Sequence, residues 1–416
     1  MLKGTIYLHA GLHKTATSSI QATCHNSREE LLRQGVLYPA CLGQDHSRFI
    51  DIAFKPMTKV YRVDIDVPLS HKGHAEQGRK LKQALLDEVA GSSFANLLIS
   101  GESMSTMAED QVPGLRHFLV KSFPDFDIKI LFCTREYDSF RSSLIQQRIK
   151  GGERASIKLR TDIYRWGLEK FIKYFGKNNI LVYSFEEACA HKDGPVGFFL
   201  ETLGLETSSI PLLRVNEAVS DKAVDLLAYI NDQIPSRDGW RKSPFREFND
   251  TGVLQGIRGK KFVTRLPRTP EEDEAIRQDI EWLKSSFGID YAHSEWNPDI
   301  HPVVYDGDFC KDIIYCFPRV PRNIQICIYR YLEQRAEERE GAQRIVLLQT
   351  LDVVKQLTPG LETLELEAYP DKPQVEKGRS GNGLSGWMAR VGKGFNRLAS
   401  KPGAVLKALL APFLDK

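Results

Sequence analysis

The chain has 416 residues, of which 42% are apolar and 27% charged, and its formal net charge is +3. This is ordinary globular usage with enough apolar residues for a sizeable core, and it excludes a molecule that is basic all over and wraps nucleic acid. The charge is uneven: residues 377–416 hold eight Lys or Arg against one acid, Asp415, so the basic balance is a property of the tail.

The length exceeds one ordinary domain and fits a large α/β domain with an appendage. Seven cysteines (Cys24, Cys41, Cys133, Cys189, Cys310, Cys316 and Cys327) form no CxxC pair. Their odd number and scattered spacing predict a reducing compartment, with neither a disulfide framework nor a zinc site. Cys133 lies in the apolar run Ile128–Cys133 and reads as core. The N-terminal stretch lacks the pattern of a secretory leader, and no apolar run approaches the roughly 18 residues that span a bilayer. The expectation is a cytoplasmic protein.

In chain order, Thr5–His9 is a short β-prone run. A polar turn through Gly11 follows, then a helical pattern from about Thr17 to Arg33. Gly35–Pro39 reads as a strand or turn, and Lys80–Val89 as helical. Asn96–Ser100 and Ile128–Thr134 are buried strands. A helix begins near Asp138. Thr161–Phe175 is an amphipathic helix carrying Tyr164, Trp166, Leu168 and Phe171, and Asn179–Ser184 is a further strand. Short apolar strands alternating with helices predict an α/β fold with a P-loop-type parallel sheet flanked by helices. Ligands gather at the carboxyl ends of such strands. Pro267–Phe287 is helical and stops at Gly288. Beyond Trp296 the rhythm fades into a C-terminal helical appendage with helices over Pro321–Glu338 and Ala342–Gln356. Ala368–Ser385 reads as a linker, and no internal repeat occurs.

The stretch His9-Ala10-Gly11-Leu12-His13-Lys14-Thr15-Ala16-Thr17-Ser18-Ser19 follows a strand and opens a helix. Backbone N–H groups, hydroxyls and the positive helix end there suit an anion. A Walker A loop needs Gly and Lys where Ala16 and Thr17 stand, and here the lysine comes two residues before them. The loop closely resembles the 5′-phosphosulfate loop of sulfotransferases that use 3′-phosphoadenylyl sulfate (PAPS), of the form Lys-Thr-Gly-Thr-Thr/Ser-Ser. The resemblance implies that Lys14 is the catalytic lysine and that Thr15, Thr17, Ser18 and Ser19 hold the 5′-phosphate. His13 would line the site, and Ala16 stands where glycine is usual. A lysine-bearing βα turn with a good N-cap is the bland alternative.

That family also places an arginine at a later strand end and a serine eight residues on, to hold the 3′-phosphate. Arg135 and Ser143 occupy those positions, with Ser142 as an alternative and Arg141 as an assistant. Arginine suits this because its fork donates twice to one phosphate. A surface ion pair and a helix serine would give the same pattern. For the base that takes the acceptor's proton, Glu102 just past Leu97–Ser100 is the first candidate; it resembles the Ser-Ser-Glu stretch of bacterial carbohydrate sulfotransferases. The alternative is an acid stabilising a helix start. His46, after Gly35-Val36-Leu37-Tyr38-Pro39, is the second candidate. Gly256–Lys261 reads either as a cover for the adenine or 3′-phosphate or as a solvated basic loop. No cluster with metal-ligand spacing appears, and sulfuryl transfer needs no metal in principle.

The resemblance covers residues 1–295, the expected sulfotransferase domain. Residues 296–376 form a helical accessory region and 377–416 a basic amphipathic tail. The acceptor it implies is a hydroxyl or amine, on a carbohydrate or glycolipid, with no nucleic-acid partner. Within 387–414 the apolar residues Trp387, Val391, Phe395 and Leu398 recur at helical spacing, with Arg390, Lys393 and Arg397 on the other side. Such a helix lies on an anionic membrane surface, docks on a partner, or packs on its own domain; the first would make the protein peripheral to the inner face of the membrane. Two readings compete with the transferase: a P-loop nucleotide kinase or hydrolase, and a non-catalytic nucleotide-binding interaction module.

Overall fold

The computed structural model describes residues 4–12, 14–56, 71–154, 159–215, 218–238, 241–247, 249–264, 266–292 and 302–366. His13, Trp296 and the whole of 377–416 lie outside them, so the expectations for the lining histidine, the linker and the tail fall outside the described residues.

Five parallel strands form the sheet: β1 (Thr5–His9), β2 (Val36–Leu37), β3 (Asn96–Ser100), β4 (Asp127–Thr134) and β5 (Ile180–Ser184). Their spatial order is β2-β3-β1-β4-β5. Thr5 of β1 pairs with Asn96 on one side and Asp127 on the other, so β3 and β4 leave the sheet on opposite flanks of β1. Sheets wound this way offer a ligand crevice beyond the carboxyl ends of their strands, where the winding direction switches.

The strands are buried on both faces, as parallel strands must be when crossover helices cover them. Ile6, Leu8, Ile130 and Phe132 point to one face, against α5 (Val112–Ser122), α7 (Ile163–Phe175) and α11 (Pro270–Phe287). Leu98, Leu131 and Cys133 point to the other, against α1 (Thr17–Asn26) and α9 (Gly194–Thr202). The single helix expected over Thr17–Arg33 is two, α1 and α2 (Arg28–Arg33), broken at Ser27, whose φ of −109° and ψ of 23° leave the helical region. The helix expected over Lys80–Val89 starts earlier: α4 runs from His71 to Ala90. Its first turns lack apolar spacing. They are held instead by close packing on α3 (Ser47–Phe54): a Cβ at Gly78 would stand 2.9 Å from the Ile52 carbonyl oxygen.

A second core joins the later helices to the sheet domain. Ile145 and Ile149 of α6 (Tyr137–Lys150) pack with Leu227 and Ile230 of α10 (Asp221–Gln233), Phe309 of α12 (Gly307–Cys316), Ile328 of α13 (Arg322–Glu337) and Leu347 of α14 (Gly341–Leu357). Asp225 pins this packing: its Oδ2 accepts from the hydroxyls of Tyr305 (2.9 Å) and Tyr331 (2.8 Å) and from Arg335 Nε (3.1 Å). No helix among the described residues is long and apolar enough to cross a membrane.

Candidate active site

Beyond His9 the chain runs on beside β4. Ala10 N–H donates to Leu131 O (2.9 Å) and Leu12 N–H to Cys133 O (3.0 Å). Gly11 permits this approach, since a Cβ there would lie 3.0 Å from the Cys133 backbone nitrogen. The loop then turns through two left-handed residues, Lys14 at φ 69° and Ala16 at φ 62°. Alanine therefore stands where the backbone favours glycine, at a strain of about 1–2 kcal/mol. Helix α1 opens directly after it, with no side-chain cap and no acid in its first turn. Ser19 N–H donates to Ala16 O at 2.9 Å, while the N–H groups of Thr17 and Ser18, ahead of it, lie beyond the reach of the intrahelical ladder. The Thr17 hydroxyl is buried and has no partner among the described residues. Ser18 is half-buried. A helix start of this kind, with a buried hydroxyl that no protein group satisfies, favours a nearby anion.

Two of the expected phosphate ligands are used otherwise. Thr15, 1% exposed, donates its proton to Leu12 O at 2.6 Å and so closes the loop on itself. Ser19 Oγ accepts from Val215 N–H at 2.9 Å and donates to Val215 O at 3.3 Å, stitching α1 to the chain after α9. With their hydrogen-bonding committed, Thr15 and Ser19 are structural in this geometry.

Arg135 reaches from the end of β4 to the same loop. Its Nη1 donates to the Lys14 carbonyl at 2.6 Å. Its Nε and Nη2 donate to Ser139 Oγ at 2.9 and 2.8 Å. The guanidinium lies 4.8 Å from the centre of the Phe185 ring, and the Tyr164 hydroxyl holds the Arg135 carbonyl at 2.7 Å. Three of its five N–H groups are thus placed by protein, which leaves two for a ligand.

Helix α6 links the two cations. Ser139 touches Arg135, and eight residues on Gln147 Oε1 accepts from Lys14 Nζ at 3.0 Å. Steps of four residues keep one face of a helix, so Ser143 sits on that stripe between them, half-buried. Ser142 instead donates to Asp138 O (2.7 Å) and accepts from Thr264 N–H (3.1 Å), and Arg141 donates to Pro267 O (3.1 Å); both are engaged by protein groups off the stripe. Ser139 and Gln147 were not singled out in the sequence. Their signal is the i, i+4, i+8 stripe that starts four residues after Arg135.

Burial and the nearby cations Lys150 and Arg135 push the Lys14 ammonium below its usual range, and Glu102 partly offsets this. Glu102 opens the turn after β3 and lies within electrostatic reach of both Lys14 and the buried His9. The three strand ends β1, β3 and β4 therefore place a lysine, a carboxylate and an arginine at the same edge of the sheet, the last two within electrostatic reach of Lys14.

His46 does not suit a base. It is fully buried, its Nδ1 accepts from Ser100 N–H at 3.1 Å, and its ring stacks on Tyr38 at 4.3 Å. Burial pushes its pKa down to about 3, so it stays neutral and structural. The Gly256–Lys261 loop is split in role. Arg258 is tied to Asp312 by its backbone and side chain. Lys260 and Lys261 are exposed. Lys261 and Arg214 lie within electrostatic reach of Cys189, as does Arg135, so further positive charge stands on the Arg135 side. Elsewhere, His191 and Asp193, between α8 (Phe185–Ala190) and α9, bring their polar atoms within 4.8 Å of those of Glu201 on α9 and of one another, a grouping the spacing did not show. Asp193 N–H donates to His191 Nδ1, and Lys192 pairs with both acids.

The chain is an α/β protein with a five-stranded parallel sheet, and Lys14, Glu102 and Arg135 follow the carboxyl ends of three of its strands. No family model matches the sequence, and a search of curated proteins returns no match. Among solved structures, the chain is similar to a sulfotransferase from Alicyclobacillus acidocaldarius, with 12% identity, a TM-score of 0.37, and coverage of 68% of this chain and 96% of that one.

Proposed function

We propose that the protein is a sulfotransferase that moves a sulfuryl group from PAPS to a hydroxyl or amine, with a carbohydrate or glycolipid as acceptor. What supports this most is the link between the two grips: Arg135 bonds the lysine loop itself, and Ser139, Ser143 and Gln147 run between them. A nucleotide carrying phosphate at both 5′ and 3′ ends needs two such grips on neighbouring strands. The unpartnered Thr17 hydroxyl and the two remaining N–H groups of Arg135 fit that donor.

The donor supplies an activated sulfuryl group. The rest falls to side chains already in the crevice. Thr17, Ser18 and the start of α1 hold the 5′-phosphate, while Arg135 and Ser143 hold the 3′-phosphate. Glu102 takes the acceptor's proton as the acceptor atom bonds sulfur and the bond from sulfur to the phosphate oxygen breaks. Lys14 leaves Gln147 and donates to that departing oxygen, where negative charge develops.

Calorimetry with adenosine 3′,5′-bisphosphate against ADP tests the grip. Transfer of labelled sulfate from PAPS to glycans, with Lys14→Ala as control, tests the chemistry. Preferred binding of the bisphosphate, and transfer abolished by Lys14→Ala, are the expected results. Tighter binding of ADP would favour a kinase or hydrolase. Tight bisphosphate binding without transfer to any acceptor would favour a binding module.

A further inference from the structure

We propose that Lys170 is a positioning residue for the transfer: its buried ammonium fixes the loop that carries Glu102. The inference rests on the reading of Glu102 as the base.

Lys170 lies on α7, only 4% exposed. It does not enter the crevice. Its Nζ donates to the carbonyl oxygens of Ser105 and, at 2.8 Å, Met107. These belong to the turn that begins at Glu102. The rest of that turn is closed from within. Glu102 O accepts from Ser105 N–H (3.0 Å) and Ser105 Oγ (2.7 Å). Ser103 O accepts from Thr106 Oγ1 at 3.0 Å, and Met104 O from Met107 N–H at 3.2 Å. On the outer side, Ser103 Oγ donates to Ser47 O at 3.1 Å. The carbonyls of Ser105 and Met107 receive their donors from the lysine alone among the described residues. A buried carbonyl without a donor is costly, so the turn must shift to find water if the ammonium is removed.

The groups facing this ammonium do not neutralise it. Lys55, just past α3, pairs with Asp51 (2.9 Å) and donates to Thr106 Oγ1 (3.0 Å). Arg160 pairs with Asp162 (2.8 Å). The Trp166 ring lies 4.1 Å from Lys170 Nζ, and the Phe171 ring 5.6 Å. Burial, with Lys55 and Arg160 adding to it, lowers the Lys170 pKa to about 7. Its charge is therefore lost near neutrality, and with it the charge assistance of both bonds.

The donor grips stand on α1 and at the end of β4, on elements other than those that Lys170 braces. Loosening the turn should therefore reduce turnover and leave donor binding intact. A displacement of the order of 1 Å at a reacting group costs roughly 100-fold in rate.

The test compares full-length wild type, Lys170→Met and Lys170→Arg, with Glu102→Gln as reference. Lys170→Met is expected to lower kcat roughly 10–100-fold, with bisphosphate affinity and donor KM within about twofold of wild type. Wild-type kcat should fall as pH rises through about 7, and Lys170→Arg, which stays charged, should lose that fall. If Lys170→Met does not fold, the Lys170→Arg profile decides. An unchanged profile in Lys170→Arg, full kcat in Lys170→Met, or parallel loss of kcat and nucleotide binding would each overturn the proposal. Full activity of Glu102→Gln would instead overturn the base reading, whatever the lysine variants do.

Discussion

Replacing Arg135 with lysine keeps one positive charge and removes the planar fork. The structure separates two consequences. First, the contacts with Ser139 Oγ (2.9 and 2.8 Å) and with Lys14 O (2.6 Å) are lost. Arg135 is only 8% exposed, so Lys14 O loses its donor in a largely dry place, at about 1–3 kcal/mol of stability. The loosened loop also weakens its hold on a 5′-phosphate by about 10-fold, the worth of roughly one hydrogen bond. Second, a 3′-phosphate loses a charge-assisted bidentate partner, a further 10–100-fold or so. Titration calorimetry with adenosine 3′,5′-bisphosphate and with 5′-AMP reads both terms. The ratio of the two affinities should fall at least about 10-fold in Arg135→Lys. If the variant weakens both ligands equally, Arg135 only braces the lysine loop, and the 3′-phosphate assignment fails.

Ala16→Gly relieves the strain at φ 62°, about 1–2 kcal/mol, and gives back about 0.4–1 kcal/mol through a freer unfolded chain. The expected net effect is a small rise in Tm in a thermal melt, and a clear fall would contradict the left-handed assignment. Asp279 caps α7 from α11, accepting from Tyr164 N–H (2.8 Å) and Arg165 N–H (3.0 Å). Burial raises its pKa from 3.8 to about 6. A raised carboxyl contributes stability that is present below the unfolded pKa and lost as pH rises through the folded one, here roughly 3 kcal/mol at most. The stability of wild type relative to Asp279→Asn should therefore fall between about pH 4 and pH 6 in urea titrations, and a rise over that window would refute the assignment.

Much of the scaffold was legible because its physics is local. Runs such as Leu97–Ser100 and Ile130–Cys133 bury alternate residues on two helix-covered faces, and apolar runs of that length report themselves. The lysine loop was legible because residue types suited to anions cluster between a strand and a helix. Arg135 was legible as a cation at a strand end.

The same letters did not reveal which hydroxyls remain free. Thr15, Thr17, Ser18 and Ser19 are chemically alike, yet folding spends Thr15 on Leu12 O and Ser19 on Val215 and leaves Thr17 without a partner. His46 looked like a base because imidazole titrates near neutrality, and only burial against Tyr38 and Ser100 removes that capacity. Ser139, Gln147 and Lys170 act on residues 4, 133 and at least 63 positions away. Composition and periodicity thus determined the strands of the sheet and the kinds of charge at each strand end, but not the break at Ser27 or the start of α4 at His71. The tertiary structure decided which polar groups are satisfied by protein and which are left for a ligand, because a hydrogen bond depends on what lies within about 3 Å, and the chain alone does not state its neighbours.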